Sequence, residues 1–129
     1  MKAKFKNRQI GNYQGAEEGP ILVCTAGLHG NETAGIEALD LVFQTLNSQN
    51  INLHGTITAF AGNLHALKEQ QRYMDHDLNR SWTADRTEAI RENTFSANKI
   101  EDREQLALLE ELQKYFTTEQ PVYFLDLHT

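Results

Sequence analysis

Residues 20–32 read Pro20-Ile21-Leu22-Val23-Cys24-Thr25-Ala26-Gly27-Leu28-His29-Gly30-Asn31-Glu32, and this stretch decides the fold. Its first half is a short β-rich run closed by Gly27, which suits a buried strand of a mostly parallel sheet. Beyond it the period changes. Ile36, Leu39, Val42, Phe43 and Leu46 recur at three- and four-residue intervals, so an amphipathic helix is expected over about residues 32–49 with that stripe on the sheet. Thr56-Ile57-Thr58-Ala59-Phe60-Ala61 reads as a second strand, ending at Gly62-Asn63. Strand, helix, strand is a βαβ unit.

Between about residues 61 and 100 the chain is polar and turn-rich, with one short helix expected near residues 64–70. Stretches of this kind often carry function. Leu106, Leu109, Leu112 and Phe116 restore a helical period within roughly residues 101–118, Pro121 stops it, and Val122-Tyr123-Phe124-Leu125 starts another apolar strand. The order predicts an α/β fold, a three-layer α/β/α sandwich with a mostly parallel central sheet, whose functional groups collect at the C-terminal ends of the strands.

A chain of 129 residues is one domain or part of one. With 12 Lys+Arg against 18 Asp+Glu, it lacks a basic footprint for nucleic acid or an anionic membrane. An anionic substrate must then be drawn in by a few placed cations. The run Ile21-Leu22-Val23-Cys24 is too short for a transmembrane helix or a signal-peptide core, so a soluble, cytoplasmic protein is expected. Cys24, the single cysteine, cannot form an internal disulfide and reads as a small buried hydrophobe.

His29 and Glu32 lie in the turn after the first strand, and His128 lies in Leu125-Asp126-Leu127-His128-Thr129. Two imidazoles and a carboxylate are the ligand set of a hydrolytic zinc site, with a fourth position open to water; one Zn2+ per chain is expected. Alone, a His and a Glu three apart are readily explained as a loop residue and a helix N-terminal acid. Here they follow a strand and a turn bracketed by Gly27 and Gly30, and on a first helical turn residues three apart share a face. His128 adds a third group at the end of another strand. Asp126, two residues earlier, points to the same side, and a carboxylate behind a ligating imidazole holds the ring and raises its basicity. His54, His65 and His76 lack comparable partners and read as surface or loop residues.

Arg72, Asn79 and Arg80 fall between the ligand motifs, in Arg72-Tyr73-Met74-Asp75-His76-Asp77-Leu78-Asn79-Arg80. Amide hydrolysis passes through an oxyanion, which a fixed guanidinium stabilises without giving up a proton. A second guanidinium can anchor a carboxylate in a planar, bidentate fashion. In isolation the string would be a solvated loop of weak ion pairs; flanked by metal ligands it reads as the substrate side of a site. Asp75 and Asp77 are assigned to positioning the arginines or to structure, Tyr73 and Trp82 to packing.

Gly27-Leu28-His29-Gly30-Asn31-Glu32, Gly62-Asn63-Leu64-His65-Ala66-Leu67, the arginine string and Asp126-Leu127-His128-Thr129 resemble, in order, four signatures of the succinylglutamate desuccinylase/aspartoacylase family, which is related to the zinc carboxypeptidases. The resemblance implies a zinc-dependent amidohydrolase that deacylates a small N-acyl amino acid. It also implies that Arg72 polarises the scissile carbonyl while Asn79 and Arg80 hold a substrate carboxylate. Leu64 departs from the pattern, since the family commonly has proline after Gly-Asn. The family's general-base glutamate lies beyond the third ligand, so residues 1–129 are expected to be the N-terminal part of a single zinc-hydrolase catalytic domain. Such a piece should be inactive by itself and prone to self-association. Two alternatives remain: a carboxypeptidase-like metallopeptidase on the same three ligands, and a non-catalytic α/β binding module with a relic metal loop. The presence of His29, Glu32, His128, Arg72 and Arg80 together speaks against the relic.

Overall fold

The computed structural model describes residues 7–129. In chain order it has β1 (Gln9–Gln14), β2 (Glu17–Ala26), α1 (Ala34–Ser48), β3 (His54–Ala61), α2 (Leu64–Glu69), a 3-10 turn (Leu78–Arg80), α3 (Ala84–Arg91), α4 (Ile100–Phe116) and β4 (Val122–Leu127). The sheet runs β1-β3-β2-β4. β2 is parallel to both β3 and β4, and β1 lies antiparallel on β3. The sheet is therefore mixed but mostly parallel.

Strand alternation sorts the core into two layers. Cys24, Ala26, Ala59 and Ala61 meet Ile36, Leu39 and Phe43 of α1. Ile21, Val23 and Phe60 point the other way and join Leu28, Leu78 and two residues of α4, Leu108 and Leu112. Helices thus cover both faces, as the βαβ pattern requires. Small side chains on the α1 side let that helix approach closely; on β1, a Cβ at Gly11 would sit 2.4 Å from the ring of Phe43. Cys24 is a buried free thiol. Among the described residues no helix is long and apolar enough to cross a membrane.

Four elements differ from the expectation. β1 carries little sequence signal, because QIGNYQ is a half-exposed edge strand whose only large apolar residues are Ile10 and Tyr13. α3 carries no apolar period, because it has no buried residue. α1 begins at Ala34 with Thr33 as its N-cap, so Glu32 precedes the helix and does not stand on its first turn; Val42 of the expected stripe is 44% exposed. In α4 the buried face is Glu101, Asp102, Glu104, Gln105, Leu108 and Leu112, while Phe116 is exposed. Four of those six residues are polar and hydrogen-bonded, so apolar periodicity does not report the face.

β2 and β4 are aligned so that Thr25 pairs with Asp126 and Ala26 with Leu127. The chain leaves both strands at the same end of the sheet, which brings the turn after β2 and the residues after β4 together.

Candidate metal centre

The turn after β2 is built by backbone geometry. Gly27 has φ +74°, a conformation that favours glycine, and its carbonyl accepts from the Asn63 N–H at 2.8 Å. The Gly30 backbone runs so close to α2 that a Cβ there would lie 2.1 Å from the Ala66 carbonyl carbon. The Gly30 N–H donates to the Arg72 carbonyl at 3.2 Å, and the Glu32 N–H to the His29 carbonyl at 3.1 Å. This last bond closes a turn that brings His29 and Glu32 side by side, the role the sequence had suggested for a helical turn.

The three expected ligands converge. His29, Glu32 and His128 offer ligand atoms that all lie within 4.8 Å of one another. The Glu32 carboxylate stands between the imidazoles: Oε2 contacts Nδ1 of His29 and Oε1 lies 3.2 Å from Nδ1 of His128. The rings are 5.4 Å apart and inclined at 60°. Each ring's other nitrogen faces an aspartate, Nε2 of His29 at 2.9 Å from Asp77 Oδ1 and Nε2 of His128 at 2.7 Å from Asp126 Oδ2. A carboxylate that takes the Nε2–H fixes the tautomer whose Nδ1 carries a lone pair. In that tautomer both Nδ1 atoms, which flank the Glu32 carboxylate, would offer their lone pairs to a cation. This donor set, two imidazole nitrogens and one carboxylate with carboxylates behind both rings, fits a zinc ion.

The electrostatics favour the charged form of Glu32, Asp77 and His128. Burial pushes the Glu32 carboxyl up, but the Thr129 N–H and both histidines more than offset it and hold Glu32 below the usual carboxylate range. Asp77 is likewise held low: burial raises it, and His29, the Asn79 N–H and Arg72 outweigh that. Burial lowers His128, yet Asp126 and Glu32 raise it above the ordinary histidine value. His29 is 3% exposed, whereas the His128 side chain is 34% exposed.

Asp77 and Thr25 extend the site beyond what the sequence indicated. Asp77 lies 3.7 Å from Arg72 and 3.8 Å from Arg80 through Oδ2, while its Oδ1 takes His29 and the Asn79 N–H. Thr25, buried in β2, donates to Asp126 Oδ1 at 2.8 Å; strand pairing supplies that contact, and no local motif announces it. Arg72 and Arg80 keep exposed heads, with side chains 53% and 84% accessible. Asn79 lines an apolar cavity of about 300 Å³ together with Thr25, Trp82, Leu108 and Asp126.

The remaining expectations have mixed outcomes. His65 and His76 are not partnerless: His65 Nδ1 lies 2.8 Å from Glu104, and His76 Nε2 lies 3.0 Å from Asp102. Their partners sit on α4, too far along the chain for spacing to reveal. Asp75 accepts from the Ile100 N–H at 2.9 Å and so caps α4, the structural one of its two expected roles. Tyr73 is 41% exposed, whereas Trp82 packs against the second core cluster. At Leu64, where proline would have no donor, the N–H reaches Glu104 at 3.3 Å.

Residues 18–129 match the family described as the succinylglutamate desuccinylase/aspartoacylase catalytic domain. A succinylglutamate desuccinylase of Pseudomonas aeruginosa is 30% identical over 114 residues, covering 88% of this chain and 32% of that protein. One of Photorhabdus laumondii is 42% identical over 59 residues, 46% of this chain and 18% of the relative. Among solved structures, the succinylglutamate desuccinylase of Chromobacterium violaceum superposes with a TM-score of 0.66 at 26% identity, over 88% of this chain and 35% of that one. The chain spans about a third of the length of the Pseudomonas relative.

Proposed function

The chain belongs to the succinylglutamate desuccinylase/aspartoacylase catalytic-domain family, and from that premise we propose that the full-length protein hydrolyses the amide of a small N-acyl amino acid, such as an N-succinyl or N-acetyl acidic compound, with one zinc ion per chain. The observation that carries this proposal is the convergence of the His29 and His128 Nδ1 atoms on Glu32, each ring backed by an aspartate at Nε2. Zinc held by these three residues supplies a Lewis acid that brings the pKa of water toward roughly 7.

The chain's own residues do the remaining work. Asp77 and Asp126 keep the imidazoles oriented. Arg72, tethered loosely by Asp77 and held at its carbonyl by the metal turn, is placed to stabilise the charge that develops on the scissile carbonyl oxygen. Asn79 and Arg80 bind the substrate's carboxylate, which an acidic protein must attract locally. At the centre, among the described residues, each carboxylate already serves a histidine: Glu32 both rings, Asp77 one and Asp126 the other. None of them is free to take and deliver the proton, so residues 1–129 by themselves are proposed to be inactive. The reaction is assigned to the cytoplasm.

The test is a substrate comparison on the zinc-loaded full-length protein: N-succinyl and N-acetyl derivatives of glutamate and aspartate against peptides with a free C-terminus. Release of the amino acid from the N-acyl compounds supports the proposal. Cleavage of the peptides alone would assign a carboxypeptidase instead.

A further inference from the structure

Glu101, in the first turn of α4, is fully buried and takes no part in the metal centre. Its carboxylate accepts four hydrogen bonds. Oε1 accepts from the Asp75 N–H at 2.6 Å and the His76 N–H at 3.0 Å. Oε2 accepts from the Met74 N–H at 3.0 Å and the Asn63 Nδ2 amide at 2.8 Å. Three consecutive backbone donors thus wrap one anion, and they belong to the middle of the arginine string, two residues after Arg72 and three before Asn79. Burial pushes this carboxyl up, and the four donors more than offset it, so it is held below the usual range. The loop answers in kind, since Asp75 accepts from the Ile100 N–H.

Asn63 connects this anchor to the metal turn. It is fully buried, its N–H donates to Gly27, its side-chain oxygen accepts from the Ala66 N–H at 3.1 Å, and its amide reaches Glu101. One side of the network therefore fixes the turn that carries His29 and Glu32. The other side fixes the loop that carries Arg72, Asp77 and Arg80.

We propose that Glu101 is a positioning residue that sets where Arg72 and Arg80 stand relative to the metal turn, and thereby the selection of carboxylated substrates. The inference deepens the N-acyl amino acid reading and rests on it for the kinetic part alone. Glu101 touches no substrate. It acts by holding three peptide N–H groups in a geometry that places the loop. A neutral amide at this position keeps one acceptor oxygen but turns an NH2 group toward donors, so two of the four bonds fail.

The experiment uses the zinc-loaded full-length protein with Glu101→Gln, and with Arg80→Ala as the reference. Hydrogen exchange of the Met74, Asp75 and His76 amides should be at least tenfold faster in Glu101→Gln, with zinc content unchanged. The preference for an N-acyl amino acid over its carboxamide analogue should fall about tenfold, and Glu101→Asp, which keeps the charge, should recover part of it. A merely structural role would lower stability without changing that preference. If Arg80→Ala loses the preference but Glu101→Gln keeps both the preference and wild-type exchange, the inference is overturned. If Arg80→Ala has no effect, the substrate reading fails, and exchange alone decides the positioning role. Should Glu101→Gln not fold, the wild-type protein still decides: these three amides must be protected as well as those of α4, and fast exchange there would overturn the proposal.

Discussion

Asp77 serves three cations or potential cations at once, with His29 at one oxygen and Arg72 and Arg80 near the other. Orienting carboxylates of this kind typically carry 10–100-fold in metal affinity, so Asp77→Asn should weaken zinc binding by about that factor in a chelator competition. An unchanged affinity would remove Asp77 from the site. The arginines differ in what they are expected to touch. Arg72→Ala should lower kcat by roughly a hundredfold or more, the usual cost of losing an oxyanion donor, whereas Arg80→Ala should chiefly raise KM for acidic substrates, as lost ground-state binding does. Steady-state kinetics on both variants check this, and an Arg80→Ala enzyme with wild-type KM would contradict the anchor role. The three candidate ligands were legible because each sits in a short motif at a strand end. Asp77 was only half legible: the loop folds back onto His29, and that return depends on contacts to α2 and α4 with no local signature.

At the scale of elements, α4 shows what hydrophobic pattern cannot reveal. Its first turns bury Glu101, Asp102, Glu104 and Gln105, each paired across to a loop, a histidine or an arginine. Asp102 accepts from Arg86 at 2.7 Å, His76 and the Lys99 N–H at 3.0 Å. Burial alone would raise its pKa, but these partners bring it down to about 2. A carboxyl depressed in the folded state stabilises above its unfolded pKa of about 3.9, and that contribution is lost as pH falls toward 2. Asp102→Asn should therefore be less stable than wild type, by on the order of 2 kcal/mol near pH 6, with the gap closing as the pH approaches 2. Urea unfolding at several pH values measures it. A gap that stays constant with pH would show that the Asp102 charge is not what Arg86 and His76 hold.

Across the whole molecule, the three-layer plan was readable from the alternation of strand and helix periods, because each buried strand and the α1 stripe is itself apolar. The antiparallel edge β1 and the polar α3 were not, since neither contributes much to the core. β4 occupies the opposite edge of the sheet, with Tyr123, Phe124 and Leu125 about half exposed or more. An open strand edge flanked by apolar side chains invites pairing with a second copy. Residues 1–129 should accordingly self-associate with rising concentration in sedimentation experiments, and Tyr123→Lys with Leu125→Lys should suppress it. Concentration-independent monomers of the unmodified chain would contradict this expectation.

The most direct test is the metal content of the zinc-loaded full-length protein by elemental analysis, for the wild type and for His29→Ala, Glu32→Ala and His128→Ala. A single site of two imidazoles and one carboxylate predicts about one zinc per chain in the wild type and its loss in all three variants. Variants that each retain one zinc per chain would show that these residues do not hold the metal.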